Sequence, residues 1–161
     1  MMERFSDWLA STSASEAFAS ATWFIPIVQT VHILAIAVVV TTLVMFNFRL
    51  LKLTRVGPPL DELSRSFMPW TWRALWVLLA TGLLMIITEP ARELLSFPFW
   101  LKMGMVALLV MLTLIVHSAV RRDGGYWAAT SQRRVTGSAL AIISLLLCIG
   151  IVTAGRLIAY V

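Results

Sequence analysis

The stretch Trp23–Phe48, WFIPIVQTVHILAIAVVVTTLVMFNF, decides the fold class. It holds no charged residue and exceeds the ~20 residues that span a hydrocarbon core of about 30 Å at 1.5 Å per residue. Three further runs have the same character: Trp70–Thr88, Phe97–Val120 and Val135–Ala159. The chain has 161 residues, 60% of them hydrophobic and 13% charged, with a mean hydropathy of +0.88. A soluble domain carries roughly 25% charged residues. Disorder, a coiled coil and a disulfide scaffold are therefore excluded, and the fold expected is all-α: an integral-membrane, up-and-down bundle of four transmembrane helices forming one domain, residues 1–161. The spans are placed at about 23–48, 70–88, 97–120 and 135–159.

The net charge of +5 does not point to nucleic acid, because the basic residues flank apolar runs instead of clustering on a soluble module. Nine of the thirteen lie in the first and third connections or at their borders: Arg49, Lys52, Arg55, Arg65, Arg73, Arg121, Arg122, Arg133 and Arg134. The amino-terminal segment and the second connection carry Arg4, Arg92 and Lys102 against Glu3, Asp7, Glu16, Glu89 and Glu93. By the positive-inside rule both termini are expected outside the cytoplasm. Lys102 sits near the start of span three, where its stem can return the ammonium to the interface. Trp23, Phe24, Trp70, Trp72, Phe97 to Trp100 and Tyr160 mark interfaces.

Residues 1–22 lack the continuous apolar stretch of a cleavable signal. Phe5, Trp8 and Leu9 fall on one helical face, which predicts a short amphipathic interfacial helix. Val56-Gly57-Pro58-Pro59 breaks any helix, and Leu60–Phe67 is expected as a separate cytoplasmic helix before Pro69. Asp123-Gly124-Gly125 signals a turn, Ser131 is the expected cap of the fourth span, and Asn47 that of the first span's end. Small residues at Gly150/Ala154, Gly104/Ala107 and Ala80/Gly82 allow close helix approach, within the chain or between copies. Cys148, the single cysteine, lies in an apolar run and forms no intramolecular disulfide.

Ionisable side chains deep in a bilayer are costly and therefore the first candidates for function. Two lie well inside the spans, His32 and His117. His32 is nine residues inside Trp23, about 13 Å deep, with Gln29 three residues earlier on its face and Thr30 nearby. His117 is seventeen residues from Trp100, about 25 Å deep on a helix running the same way. A difference of ~12 Å argues against one haem held by both imidazoles, which must sit at nearly one height. Haem b remains possible with His32 at an outer-leaflet site, paired with Met105 or Met111 or with a second copy's His32, and with Gln29 and Arg156 beside it, Arg156 placed to neutralise a propionate. Copper handling is the other cofactor alternative, with His32, Met111 and His117 as metal candidates. On span three Met103 and His117 fall about 40° apart, whereas Met105 and Met111 are displaced from both, so a pair is present but not a lined path. Thr41, Thr42, Thr81 and Thr113 can return hydrogen bonds to their own helices. No hydrolytic or phosphate-binding motif is present.

Trp23-x-x-Pro26, Gln29-x-x-His32, Arg49-Leu50-Leu51, Phe99-Trp100-Leu101-Lys102 and Ala154-Gly155-Arg156-Leu157-Ile158-Ala159-Tyr160 together resemble a family of uncharacterised small bacterial four-helix membrane proteins, remotely similar to copper-resistance membrane domains and b-type cytochromes. The resemblance implies a bacterial inner-membrane location and singles out Pro26, His32, Arg49, Lys102 and Arg156; the chain departs from the family pattern at Ile25 and Asn47. The function expected is that of a non-enzymatic membrane protein of accessory, structural or self-assembling type with helix-packing histidines, in contact with lipid and forming a homo-oligomer or part of a membrane complex.

Overall fold

Trp23–Phe48 does become a helix, and it continues for two more residues. In the computed structural model, which describes residues 2–53, 58–123 and 125–157, this helix is α3 (Phe24–Leu50). It follows two short helices, α1 (Met2–Ala10) and α2 (Ser13–Ser20). After it come α4 (Leu60–Thr88), α5 (Pro90–Leu94), α6 (Phe97–Arg122), a 3-10 turn (Tyr126–Ala128) and α7 (Ser131–Leu157). The four long helices are each apolar and long enough to cross a membrane, and in each only 22% of the apolar window is buried within the protein. Most of that apolar surface therefore faces outward, which is stable against lipid and not against water. The chain is a multi-pass integral membrane protein built as a four-helix bundle.

Two long hairpins make the bundle. α3 packs along α4 and α6 along α7; α3 and α7 join the pairs, while α4 and α6 meet over a much shorter stretch. At mid-height Val39, Leu43, Ala74, Leu109 and Cys148 form one buried cluster drawn from all four spans. Nearer the arginine-rich end Leu50, Val116, Val120, Trp127 and Ala141 form a second. Trp127, from the connection between α6 and α7, closes that end. Its indole lies against Gly137, where a Cβ would stand 3.1 Å from Cε3 and 3.3 Å from Cδ2.

Several local expectations are corrected. Leu60–Phe67 is not a separate helix: α4 runs unbroken through Pro69. Proline removes one N–H from the ladder, that which would reach the Arg65 carbonyl, but the flanking residues remain helical because α4 is held by its packing on α3. The cap of α7 is Thr130 and not Ser131, since Thr130 Oγ1 accepts the Arg133 N–H at 3.2 Å. The end of α3 is not capped by Asn47. Leu53 N–H donates to Phe48 O at 3.0 Å and Lys52 N–H to Arg49 O at 3.1 Å, with Lys52 at φ 58°, a Schellman ending on a residue other than glycine. Val56, Gly57, Gly124, Arg55 and Tyr160 lie outside the described residues.

The expected amphipathic helix is α1, with Phe5 and Trp8 exposed and their rings 5.9 Å apart, while Ser6 is buried where α1 packs on α5. An apolar face turned away from the protein suits the headgroup boundary. Arg73, just inside Trp70, lies 5.1 Å over that residue's ring. This contact keeps the guanidinium at the level of an interfacial aromatic.

Candidate functional site

Both histidines are bonded to α4. Nδ1 of His32 on α3 lies 2.7 Å from Thr81 Oγ1, and Nδ1 of His117 on α6 lies 2.7 Å from Ser64 Oγ. Thr81 and Ser64 are seventeen residues apart on one helix, about 25 Å along its axis. The imidazoles thus bind near opposite ends of α4, at about twice the separation read from tryptophan markers.

At the His32 station the tautomer follows from the hydrogen bonds. Thr81 Oγ1 also lies 2.7 Å from Val77 O, which can only accept, so the single hydroxyl proton goes there. His32 Nδ1–H therefore donates to Thr81, and Nε2 keeps its lone pair. Gly82 stands beside the ring, where a Cβ would be 3.8 Å from Cε1. Lys102 of α6 is close enough to act on the imidazole electrostatically, and its stem passes Gly155 of α7, 3.9 Å from where a Cβ would stand. All four spans thus contribute to this level. Gln29 faces a different small space, lined also by Thr88, Glu89 and Glu93, roughly two turns nearer the end of α4. Arg156 is exposed near the end of α7.

Met111 is half-exposed on the outer face of α6, and Met105 rests on α7 with Sδ 3.0 Å from where a Cβ of Gly150 would stand. His32, Met111 and His117 are not gathered at one place. Among the described residues no group of three His, Cys, Asp or Glu side chains is arranged to hold a metal.

At the other station the His117–Ser64 pair stands between two spaces. On the bundle side is a cavity of about 20 Å³, lined by Asn47, Ser64, Thr71, Thr113 and Ser144 among others, room for about one water. Thr71, Thr113 and Ser144 each donate to a carbonyl four residues back, so their oxygens offer lone pairs. Asn47 is only 4% exposed and its Nδ2 has no partner. On the other side an open crevice of about 650 Å³ separates the ends of α4 and α6. Ser64 was not legible as functional, since a serine in a polar stretch carries no periodic signal. Thr81 was expected only to bond its own helix; it also accepts from His32.

Comparisons with protein-family models, curated proteins and solved structures returned no match.

Proposed function

We propose that this is a non-enzymatic membrane protein of accessory or self-assembling type, in which the two histidines fasten α3 and α6 to a common post, α4. The observation that supports it is the use of each Nδ1, at 2.7 Å, on a hydroxyl of that one helix. Within a bilayer such interhelical hydrogen bonds contribute about 0.6 kcal/mol on average and up to about 1.7. The arginine-rich end, bearing Arg65, Arg121, Arg122, Arg133 and Arg134, is the cytoplasmic one in this reading, and both termini lie outside.

Purified protein in mild detergent tests this. His32→Leu is expected to lower thermal stability and shift the oligomer distribution more than His117→Leu does, because His32 pairs deep in the bundle whereas water in the crevice can replace His117. Negligible effects from both would remove the fastening role.

One observation favours a second reading, haem-b electron transfer at His32, an outer-leaflet site in the proposed orientation: the Nε2 lone pair of His32 suits an axial ligand. Among the described residues His117 is about 25 Å away along α4, Met111 is turned outward and Met105 packs on α7 against Gly150, so in this reading a haem would take its other ligand from a second copy. A Soret band lost in His32→Ala and kept in His117→Ala would replace the accessory reading with this one. A colourless, metal-free preparation would dispose of both cofactor alternatives, haem and copper.

A further inference from the structure

The seam between α4 and α6 changes character along its length. On α4, Asp61, Arg65, Met68 and Trp72 recur every three or four residues and so share a face with Ser64. On α6, Val106, Val110 and Leu114 continue through His117 into Arg121 in the same way. The inner end is the crevice of about 650 Å³, walled by Arg65, Arg121 and Arg122 with Asp61 as its one acid. None of these three guanidinium groups is paired with a carboxylate among the described residues. Deeper in the membrane the seam leads to a cavity of about 80 Å³ with almost wholly apolar walls, to which α3 and α7 also contribute through residues such as Val39 and Cys148. Met68 and Trp72 line both spaces, so the cationic mouth and the apolar interior adjoin.

We propose that this seam binds one anionic phospholipid, its phosphate held among Arg65, Arg121 and Arg122 and one acyl chain lying past Met68 and Trp72 between α4 and α6. The charge balance at the mouth selects an anion, and guanidinium forks match phosphate oxygens. The apolar continuation selects a hydrocarbon tail attached to it, which a free phosphate lacks. The mouth is of the size of small-ligand sites, about 300–1,000 Å³. A tail here would also complete the shortest of the seams between neighbouring spans, that of α4 with α6. The proposal stands apart from the fastening role of the histidines and does not depend on it.

The test uses the full chain in phosphatidylcholine vesicles containing a minor fraction of phosphatidylglycerol. Lipid retained after gentle detergent extraction is read by native mass spectrometry. Quenching by acyl-brominated phosphatidylglycerol is read as the difference between the wild type and Trp72→Phe. The wild type is expected to retain phosphatidylglycerol over phosphatidylcholine and to show quenching assigned to Trp72. The double variant Arg65→Gln/Arg121→Gln should weaken retention about thirty-fold. Arg133→Gln/Arg134→Gln, an equal charge change on the first turns of α7, should leave it near the wild-type value. Equal losses in the two doubles would mean general surface attraction and overturn the proposal. So would equal retention of both lipids, displacement of the lipid by millimolar inorganic phosphate, or a lipid-free dimer that protects Trp72 from the brominated chain. Should the crevice double fail to fold, phosphate competition and Trp72 quenching on the wild type decide alone.

Discussion

Single residues carry two separable kinds of polar cost. His32 and Thr81 satisfy each other, and the pair can be measured by a double-mutant cycle with His32→Leu and Thr81→Val. A coupling of about 0.6–1.7 kcal/mol is expected in reversible unfolding from detergent micelles; a coupling near zero would show that the His32–Thr81 hydrogen bond adds nothing to stability. Asn47 is the opposite case, with Nδ2 buried and unpartnered. An unsatisfied buried donor costs about 1–3 kcal/mol, and an apolar residue of similar shape relieves it. Asn47→Leu is therefore expected to raise unfolding stability by about 1 kcal/mol. A loss of that size would instead show that the amide bonds a water in the small cavity it shares with Ser64, Thr71 and Ser144.

At the scale of elements, the ends of the helices and their points of close approach hold the adjustable terms. Lys52 occupies the left-handed position of the Schellman ending of α3 at φ 58°, a conformation that costs a side-chain-bearing residue roughly 1–2 kcal/mol. Lys52→Gly should stabilise by about 0.5–1 kcal/mol after the extra freedom of glycine in the unfolded chain is subtracted, read from the same unfolding curves. Gly137 is in the helical interior of α7, where alanine would ordinarily gain about 1 kcal/mol. Here a Cβ would press on a buried indole at 3.1 Å, within the cluster of Leu50, Val116, Val120 and Ala141. Gly137→Ala is expected to destabilise by about 1 kcal/mol, and the sign should reverse in a Trp127→Leu background, where propensity acts without the clash.

Across the whole molecule, the bundle is two hairpins joined at α3 and α7 and open between α4 and α6. The proposed orientation can be measured by labelling intact cells with an impermeant maleimide. Ser11→Cys should react and Ser131→Cys should not, and the native Cys148 is buried and stays silent; the reverse pattern would invert the topology. The membrane fold was legible because it rests on uninterrupted hydrophobic length, a property of consecutive residues. The four spans and the amphipathic α1 follow from runs such as Trp23–Phe48 and from Phe5, Trp8 and Leu9 on one face. His32 and His117 stood out for the same reason, since an ionisable group in an apolar run is visible from its neighbours in the chain. Their partners were not visible: Thr81 and Ser64 are 49 and 53 residues away, and a hydroxyl on a helix looks alike whether it bonds its own backbone or another helix. Continuity of α4 through Pro69 was also misjudged, because local chemistry disfavours what packing on α3 maintains. Hydropathy along the chain thus determined which segments enter the membrane. Only the tertiary structure decided that both imidazoles bind one helix from opposite ends and that a cationic crevice opens beside it, because side-chain pairing and gaps depend on how helices are rotated against one another, and apolar length is blind to rotation.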